Sequence, residues 1–443
     1  MKKYFGTDGI RGVAGGNILN LDFVIRLAKA AAITFSSEKG GKRVLIGRDT
    51  RLSGDFLESA LASTFASLGW DVLLLGITST PAFALLTPYY EANFGIMISA
   101  SHNPFYDNGL KFFGHDGFKL SDEKEEEIEN NIDRPAIFKT KDNIGRIQNA
   151  SIEPYLTKLC KIQEGAMNLN LLFDCANGSA SRVMPQIKKR LGLNATLINA
   201  APDGININTK CGSLFIDDLA KTYRNKEFDF MFAFDGDADR VLIADKDGII
   251  WDGDKIIALF AMFLKKHGRL KNNAAVITQM SNLGLLNFLK KQGIDAHITK
   301  VGDRYVLEEM LESDAVIGGE QSGHIINRMF LSTGDGIASA LFFLKIAQQS
   351  PDLISIVRKG VKKYPQILIN RHVAAKPELL QIPKIKNEHD AIQQNLGADG
   401  RIVLRYSGTE PLVRVMIEGP DKALIENMAN HLADTIAKEI EVL

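Results

Sequence analysis

Gly95-Ile-Met-Ile-Ser-Ala-Ser-His-Asn-Pro104 joins an apolar run to a short polar loop, and the reading of that junction decides the fold. The run predicts a buried strand that stops at Ile98. In open α/β sheets the crevice outside the carboxyl ends of the strands is where ligands bind, and small residues there let a ligand approach the backbone. Ser101, a hydroxyl beside the imidazole of His102, is therefore a candidate for covalent chemistry. Taken alone, the same residues also read as a capped Ser-His-Asn-Pro turn.

Outward from this junction the pattern repeats. Short β-branched or Leu-rich runs bounded by Gly or Asp alternate with stretches of helical period, which is βαβ organisation. The first set is Val44–Gly47, Val72–Gly76 and Gly95–Ile98, with amphipathic segments at Leu21–Phe35 and Asp55–Leu68. The second is Leu169–Asp174, Ala195–Ile198, Asp229–Phe234 and Arg240–Ala244, and the third is Ala274–Thr278, Ile294–Ile298 and Ala315–Gly318. In each set the third run ends in a polar segment, Ser99–Pro104, Asp235–Arg240 and Gly318–His324, the last two of which contain Gly. A different region follows Pro365, where Arg401–Arg405 leads into Tyr406–Pro411 and Leu424–Ile440 reads as a closing helix. Linkers are expected near Ser151–Pro154, Trp251–Asp254 and Tyr364–Asn370, dividing the chain into domains at 1–153, 154–252, 253–366 and 367–443. The acidic stretch Asp122–Glu129 is expected to be a solvated helix face.

Length and composition agree with three or four soluble domains: 443 residues, 45% hydrophobic and 24% charged. Lys+Arg and Asp+Glu both number 53, so no general field favours nucleic acid or an anionic membrane, and any anion must be held by local groups. The start carries no apolar leader segment and no apolar run approaches membrane-spanning length, so the expected location is the cytoplasm. Cys160, Cys175 and Cys211 show no C-x-x-C spacing, which argues for reduced thiols rather than a disulfide framework or a zinc site.

Asp235-Gly-Asp237-Ala-Asp239-Arg240 offers three carboxylates at alternate positions, which can converge on one hard cation; Mg²⁺ prefers such oxygen ligands together with substrate phosphate. An EF-hand is excluded, because its sixth position is Arg240 rather than Gly and its twelfth is Lys246 rather than Glu. Arg240 can balance the carboxylates or meet a phosphate. Arg405, Ser407, Gly408, Thr409 and Arg414 suit a phosphate clamp, with close backbone approach at the Gly, two hydroxyl donors and planar guanidinium forks. Glu320, Ser322 and His324 suit a reader of sugar hydroxyls. Arg11 lies in the Gly-rich opening Gly6–Gly12. Each segment has a plain alternative as an acidic turn, a surface turn or a polar loop.

In this order, Ser-His-Asn-Pro, Asp-Gly-Asp-Ala-Asp-Arg, Gly-Glu-Gln-Ser-Gly-His and Ser-Gly-Thr-Glu-Pro, the four segments resemble those of the α-D-phosphohexomutases, and the resemblance covers essentially the whole chain. It implies an α/β architecture of three tandem mixed-sheet α/β/α domains plus a smaller C-terminal α+β domain around a central cleft. It also implies that Ser101 carries a phosphoryl group and that a phosphoserine oxygen joins Asp235, Asp237 and Asp239 on Mg²⁺. Arg240 and Arg11 would then assist the transfer, and the 405–414 loop would hold the phosphate that is not reacting. Gly6–Gly12, Ile98–Pro104, Asp107–Phe112, Pro202–Asn208, Cys211-Gly-Ser213 and Gln321 point within the family to a hexosamine phosphate as substrate, and the resemblance further implies a sugar 1,6-bisphosphate as intermediate and a homodimer. Lys111 is expected to have a lowered pKa and to serve as general base, with His102 and His324 as the other candidates. A Mg²⁺-dependent sugar phosphatase and a non-catalytic sugar-phosphate sensor are the rival classes.

Overall fold

The computed structural model describes residues 3–6, 8–36, 41–133, 144–163, 165, 167–224, 227–407 and 411–441. Phe94–Ile98 is a strand with all five residues buried, because it runs mid-sheet between a parallel neighbour, Arg43–Arg48, and an antiparallel one, Asp107–Gly114. Ile10–Val13 and Asp71–Ile77 extend this sheet, which reaches six strands with Ile147–Asn149. Its helix Leu21–Phe35 starts where Asn20 accepts a hydrogen bond from the Phe23 amide, and it buries Phe23, Val24, Leu27, Ala28, Ala31 and Phe35.

Two further mixed sheets repeat the design. Leu171–Asp174 pairs in parallel with Ala195–Ile198 and Phe230–Phe234, after which Val241–Asp245 returns antiparallel. Ala274–Thr278 pairs in parallel with Asp295–Thr299 and Ile317–Gly319, and Ile325–Asn327 returns antiparallel. All three sheets thus share one device: a parallel strand ends, a polar loop follows, and an antiparallel strand carries the chain back. The three loops are 99–106, 235–240 and 320–324. The fourth unit is a three-stranded antiparallel sheet of Gln366–His372, Leu412–Glu418 and Arg401–Tyr406, covered by the helices Pro383–Leu396 and Lys422–Glu441.

One buried apolar cluster runs through the first three units, from Leu45 and Phe83 through Phe173 and Trp251 to Ile277 and Phe343. The fourth unit has its own cluster, built from Val413, Val415, Ile417 and the face of the last helix. At the expected boundary near 251–254 the chain is ordered: Trp251 is a fully buried strand residue, and Asp252 immediately caps the helix Gly253–Lys266. The acidic stretch is a helix, Asp122–Ile132, but only part of it is solvated. Glu125 is buried, and the Glu129 carboxylate accepts the amides of Lys3, Tyr4 and Phe5, tying down the start of the chain. Among the described residues no helix is long and apolar enough to cross a membrane.

Candidate active site

The loop after Phe94–Ile98 holds Ser101 at φ +52°, a left-handed conformation rare for a residue with a Cβ and sustained only where neighbours over-determine it. Those neighbours are present. Ser99 donates to Asp49 (2.7 Å) and accepts the Ser101 amide (3.0 Å), while Arg51 donates to the carbonyls of Ser101 (2.9 Å) and Asn103 (2.8 Å). Asn208, reaching over from the second unit, donates to the same two carbonyls. Gly236 lies so close that a Cβ there would come within 2.5 Å of the Ser101 carbonyl oxygen. The serine loop and the aspartate loop are therefore seated on each other by backbone contact.

The Ser101 hydroxyl donates to Asp235 Oδ2 at 2.6 Å. Asp235, Asp237 and Asp239 are all buried, and each offers an oxygen within 4.8 Å of the others. Asp237 Oδ1 and Asp239 Oδ1 are buried without a hydrogen-bond partner, which is costly for a carboxylate. Burial, with Asp239 and Asp237 beside it, pushes the Asp235 carboxyl well above the usual range. A hard divalent cation would relieve all of these at once, so the donor set fits a metal of that kind.

Lys111 is the main correction. It is buried beneath the loops, 2.8 Å from Asp237, 3.1 Å from Asp8 and 4.0 Å from Asp239. Burial alone would lower its pKa, but these three carboxylates outweigh burial and hold it above its ordinary value. The lowered pKa expected from the sequence is not what these contacts produce, because three anions face the ammonium that this strand residue carries. His102 behaves oppositely: burial, with Arg240 and Arg11 nearby, pushes it down to about 4, so it is neutral at pH 7. Its Nδ1 lies 3.5 Å from Ser101 Oγ.

His324 is buried in the 320–324 loop with Nδ1 3.5 Å from Asp239, while its Nε2 accepts the Gly334 amide at 3.2 Å. Despite burial, Asp239, Asp303 and Glu320 hold its pKa above the ordinary value. The 320–324 loop is fixed against the aspartate loop: Val241 N–H donates to the Gly323 carbonyl, and Arg240 bridges His324 through the backbone.

A cavity of about 480 Å³ opens between the four units, within the range of sites that enclose a small ligand. Arg11, Ser101, His102, Asp239, Arg240, Glu320, His324 and Arg405 all line it. Asp235, Asp237 and Lys111 lie behind this wall, and Ser322 is exposed, 3.4 Å from Glu320. Arg405 and Arg414 face each other across neighbouring strands, and burial together with Arg414 lowers the Arg405 pKa. Ser407 accepts from Arg414 at 3.4 Å, and Gly408 and Thr409 fall outside the described residues.

The sequence reading passed over Asp8, Lys119 and Asp303, which also line the cavity: Lys119 bridges the other two at 2.5 Å each. It also passed over Lys376, which donates to the Ser407 carbonyl at 2.7 Å. Lys300 and Asp303 follow the parallel strand Asp295–Thr299, so the strand-end rule applied to that strand as well would have flagged them.

Comparison with known proteins agrees with this arrangement. Models of the phosphoglucomutase/phosphomannomutase α/β/α domains I, II and III match residues 2–155, 153–248 and 252–364, and the model of the C-terminal domain matches 368–435. A curated relative from Shouchella clausii, a phosphoglucosamine mutase, is 42% identical over 99% of this chain and 100% of its own length. The fold is shared with a phosphoglucomutase/phosphomannomutase family protein of Burkholderia thailandensis (TM-score 0.79, 21% identity, 98% of this chain and 96% of that one). It is also shared with the N-acetylphosphoglucosamine mutase of Aspergillus fumigatus, solved with GlcNAc-6P and magnesium (TM-score 0.72, 17% identity, 99% and 96%). Fold and site define an isomerase of the mutase class. The chain belongs to the phosphoglucomutase/phosphomannomutase family.

Proposed function

We propose that this enzyme interconverts glucosamine 6-phosphate and glucosamine 1-phosphate through a phosphorylated Ser101 and a sugar 1,6-bisphosphate, supplying amino-sugar precursors for a cell wall. The observation that carries the reading is the Ser101 hydroxyl 2.6 Å from a buried three-aspartate cluster, at the wall of a cavity that Arg405 also lines. Full-length relatives named phosphoglucosamine mutase support the choice of sugar.

Asp235, Asp237 and Asp239, with an oxygen of phosphorylated Ser101, would hold Mg²⁺, which supplies charge stabilisation to the transferring phosphoryl group when bound. The chain's own residues do the rest. Arg240 and Arg11 face the same cavity and add positive charge where oxygens gather. His102, neutral at pH 7, holds or returns a proton at Ser101 Oγ. Lys111 keeps Asp8 and Asp237 in place as their cationic partner, and the proton of the attacking hydroxyl passes to His102 or His324, the two imidazoles that line the cavity. His324 orients the sugar loop, and Glu320 offers the substrate's ammonium a carboxylate. Arg405, Ser407, Thr409 and Arg414 hold the phosphate that is not reacting, in either orientation of the bisphosphate.

In the same reading the domains divide at 153, 252 and 366, and the enzyme works in the cytoplasm as a homodimer, which light scattering on the purified chain would test. The substrate assignment is tested by kcat/KM. Glucosamine 6-phosphate should exceed glucose 6-phosphate; the reverse order would point to a phosphoglucomutase or phosphomannomutase.

A further inference from the structure

Among the described residues, the fourth unit shares none with the apolar cluster that unites the other three. What joins its sheet to the third unit is polar and buried. Glu418, fully buried at the end of the strand Leu412–Glu418, accepts Asn282 Nδ2 on Oε1 (2.9 Å) and the Leu283 amide on Oε2 (3.2 Å). Arg401 donates to the same Oε2 at 2.5 Å, and its guanidinium also reaches the Ser281 carbonyl. Asn282 grips the connection between the units as well, accepting the Tyr364 amide (2.9 Å) and donating to the Tyr364 carbonyl (3.0 Å). Its own amide donates to Asp254 Oδ2 (2.7 Å), the oxygen that also accepts Gln321 Nε2 (3.0 Å). Gln321 lies in the 320–324 loop, so a continuous run of hydrogen bonds leads from that loop to the base of the hairpin.

Arg401 and Glu418 are register partners, and four residues further along the same two strands Arg405 faces Arg414. The hairpin is thus an arm pinned at one end and carrying the phosphate-binding arginines at the other. At ~3.3 Å per residue the arm is roughly 13 Å long, so a tilt of about 10° at its base displaces its tip by roughly 2 Å, more than a hydrogen bond tolerates.

We propose that Arg401, Glu418 and Asn282 are positioning residues: together they set the distance between the sugar loop and the phosphate-binding hairpin, and thereby the affinity for phosphorylated sugar in both orientations. The inference rests on reading the 405–414 loop as the phosphate site.

The test uses the whole enzyme with glucosamine 6-phosphate and glucosamine 1-phosphate as substrates. Arg401→Met should raise KM for both by roughly tenfold, with kcat held within about twofold, a size ordinary for groups in one network. Arg401→Lys, which restores the charge, should recover most of the loss. Gln321→Leu cuts the other end of the run, so combining it with Arg401→Met should raise KM by less than the product of the two single effects. Should Arg401→Met not fold, Glu418→Gln, which keeps the shape and loses the charge, should show the same KM shift in weaker form. A lowered Tm with KM unchanged, or single effects that multiply, would overturn the pin. A parent enzyme that turns over neither sugar phosphate would instead defeat the functional reading.

Discussion

The serine–aspartate region and the hairpin of Arg401–Tyr406 and Leu412–Glu418 handle charge in opposite ways. Around Ser101 each loop is seated on another. Asn208 and Gly236 of the second unit bear on the serine loop, Thr80 of the first donates to Asp237 at 2.5 Å, and Gly336 of the third donates to the Ala238 carbonyl. The region sits on the apolar cluster common to three units, and its carboxylates face Lys111, Arg240 and His324. At the hairpin, two arginines stand side by side on a unit with a separate core. In the proposed function the difference has a reason: a bond-making site must hold one geometry, whereas a site that receives either end of a bisphosphate needs concentrated positive charge on a support that can be set from outside. The first is built from interlocked backbone and the second from a charged arm on a polar pin.

If that contrast is right, damage to the two regions should differ in kind as well as in size. The largest effect belongs to Ser101→Ala, which should abolish turnover by at least about 10⁴-fold, as loss of a nucleophile does, while substrate still binds. Intact-protein mass spectrometry locating a phosphate on another residue of a still active variant would break the assignment. Next comes Asp237→Asn. With one charge gone from the cluster, the Mg²⁺ needed for half-maximal activity should rise by at least about tenfold, and maximal turnover should fall with it. Unchanged activity in excess chelator would leave the cluster a structural turn.

Arg414→Ala should be smaller and should act on binding. A charge-assisted hydrogen bond is worth about 1.5 to 3 kcal/mol, so affinity should weaken roughly ten- to hundredfold for both sugar phosphates alike. A loss confined to one isomer would mean that the two orientations do not share the hairpin.

The smallest effect sharpens the picture of the common core. Asp335, buried where it caps the helix Gly336–Gln349 and bonds Tyr155, has its carboxyl pushed up to about 7 by burial. Its folded pKa lies above its unfolded one, so its contribution is present below about pH 4 and is lost as pH rises to about 7. Asp335→Asn keeps the cap and does not titrate. Its Tm should therefore gain on that of the parent across this interval, and parallel Tm curves would refute the assignment.

Much of this was legible in the chain because the signals are local. Gly95–Ile98 and Phe230–Phe234 are apolar enough to reveal strands buried on both faces, and the loops that follow them carry Ser101 and the aspartates within a few residues. The helix Leu21–Phe35 coincides with its amphipathic period. What could not be read is long-range pairing. Lys119 and Asp303 are single charges 184 residues apart, and Glu418 meets Asn282 across 136, so no spacing marks either contact. Lys111 departs from its expected pKa for the same reason: its neighbours in the strand say nothing of Asp8 and Asp237, which arrive from elsewhere and hold its charge. Glu129 looked like one more solvated acid until the chain's own start folded onto it.

The most direct test of phosphoserine-mediated isomerisation is ³¹P NMR of the purified enzyme with glucosamine 6-phosphate, Mg²⁺ and a trace of sugar 1,6-bisphosphate. The expected result is growth of the glucosamine 1-phosphate resonance to equilibrium with total sugar phosphate conserved. Steady accumulation of inorganic phosphate instead, with no 1-phosphate, would contradict it and make the enzyme a phosphatase.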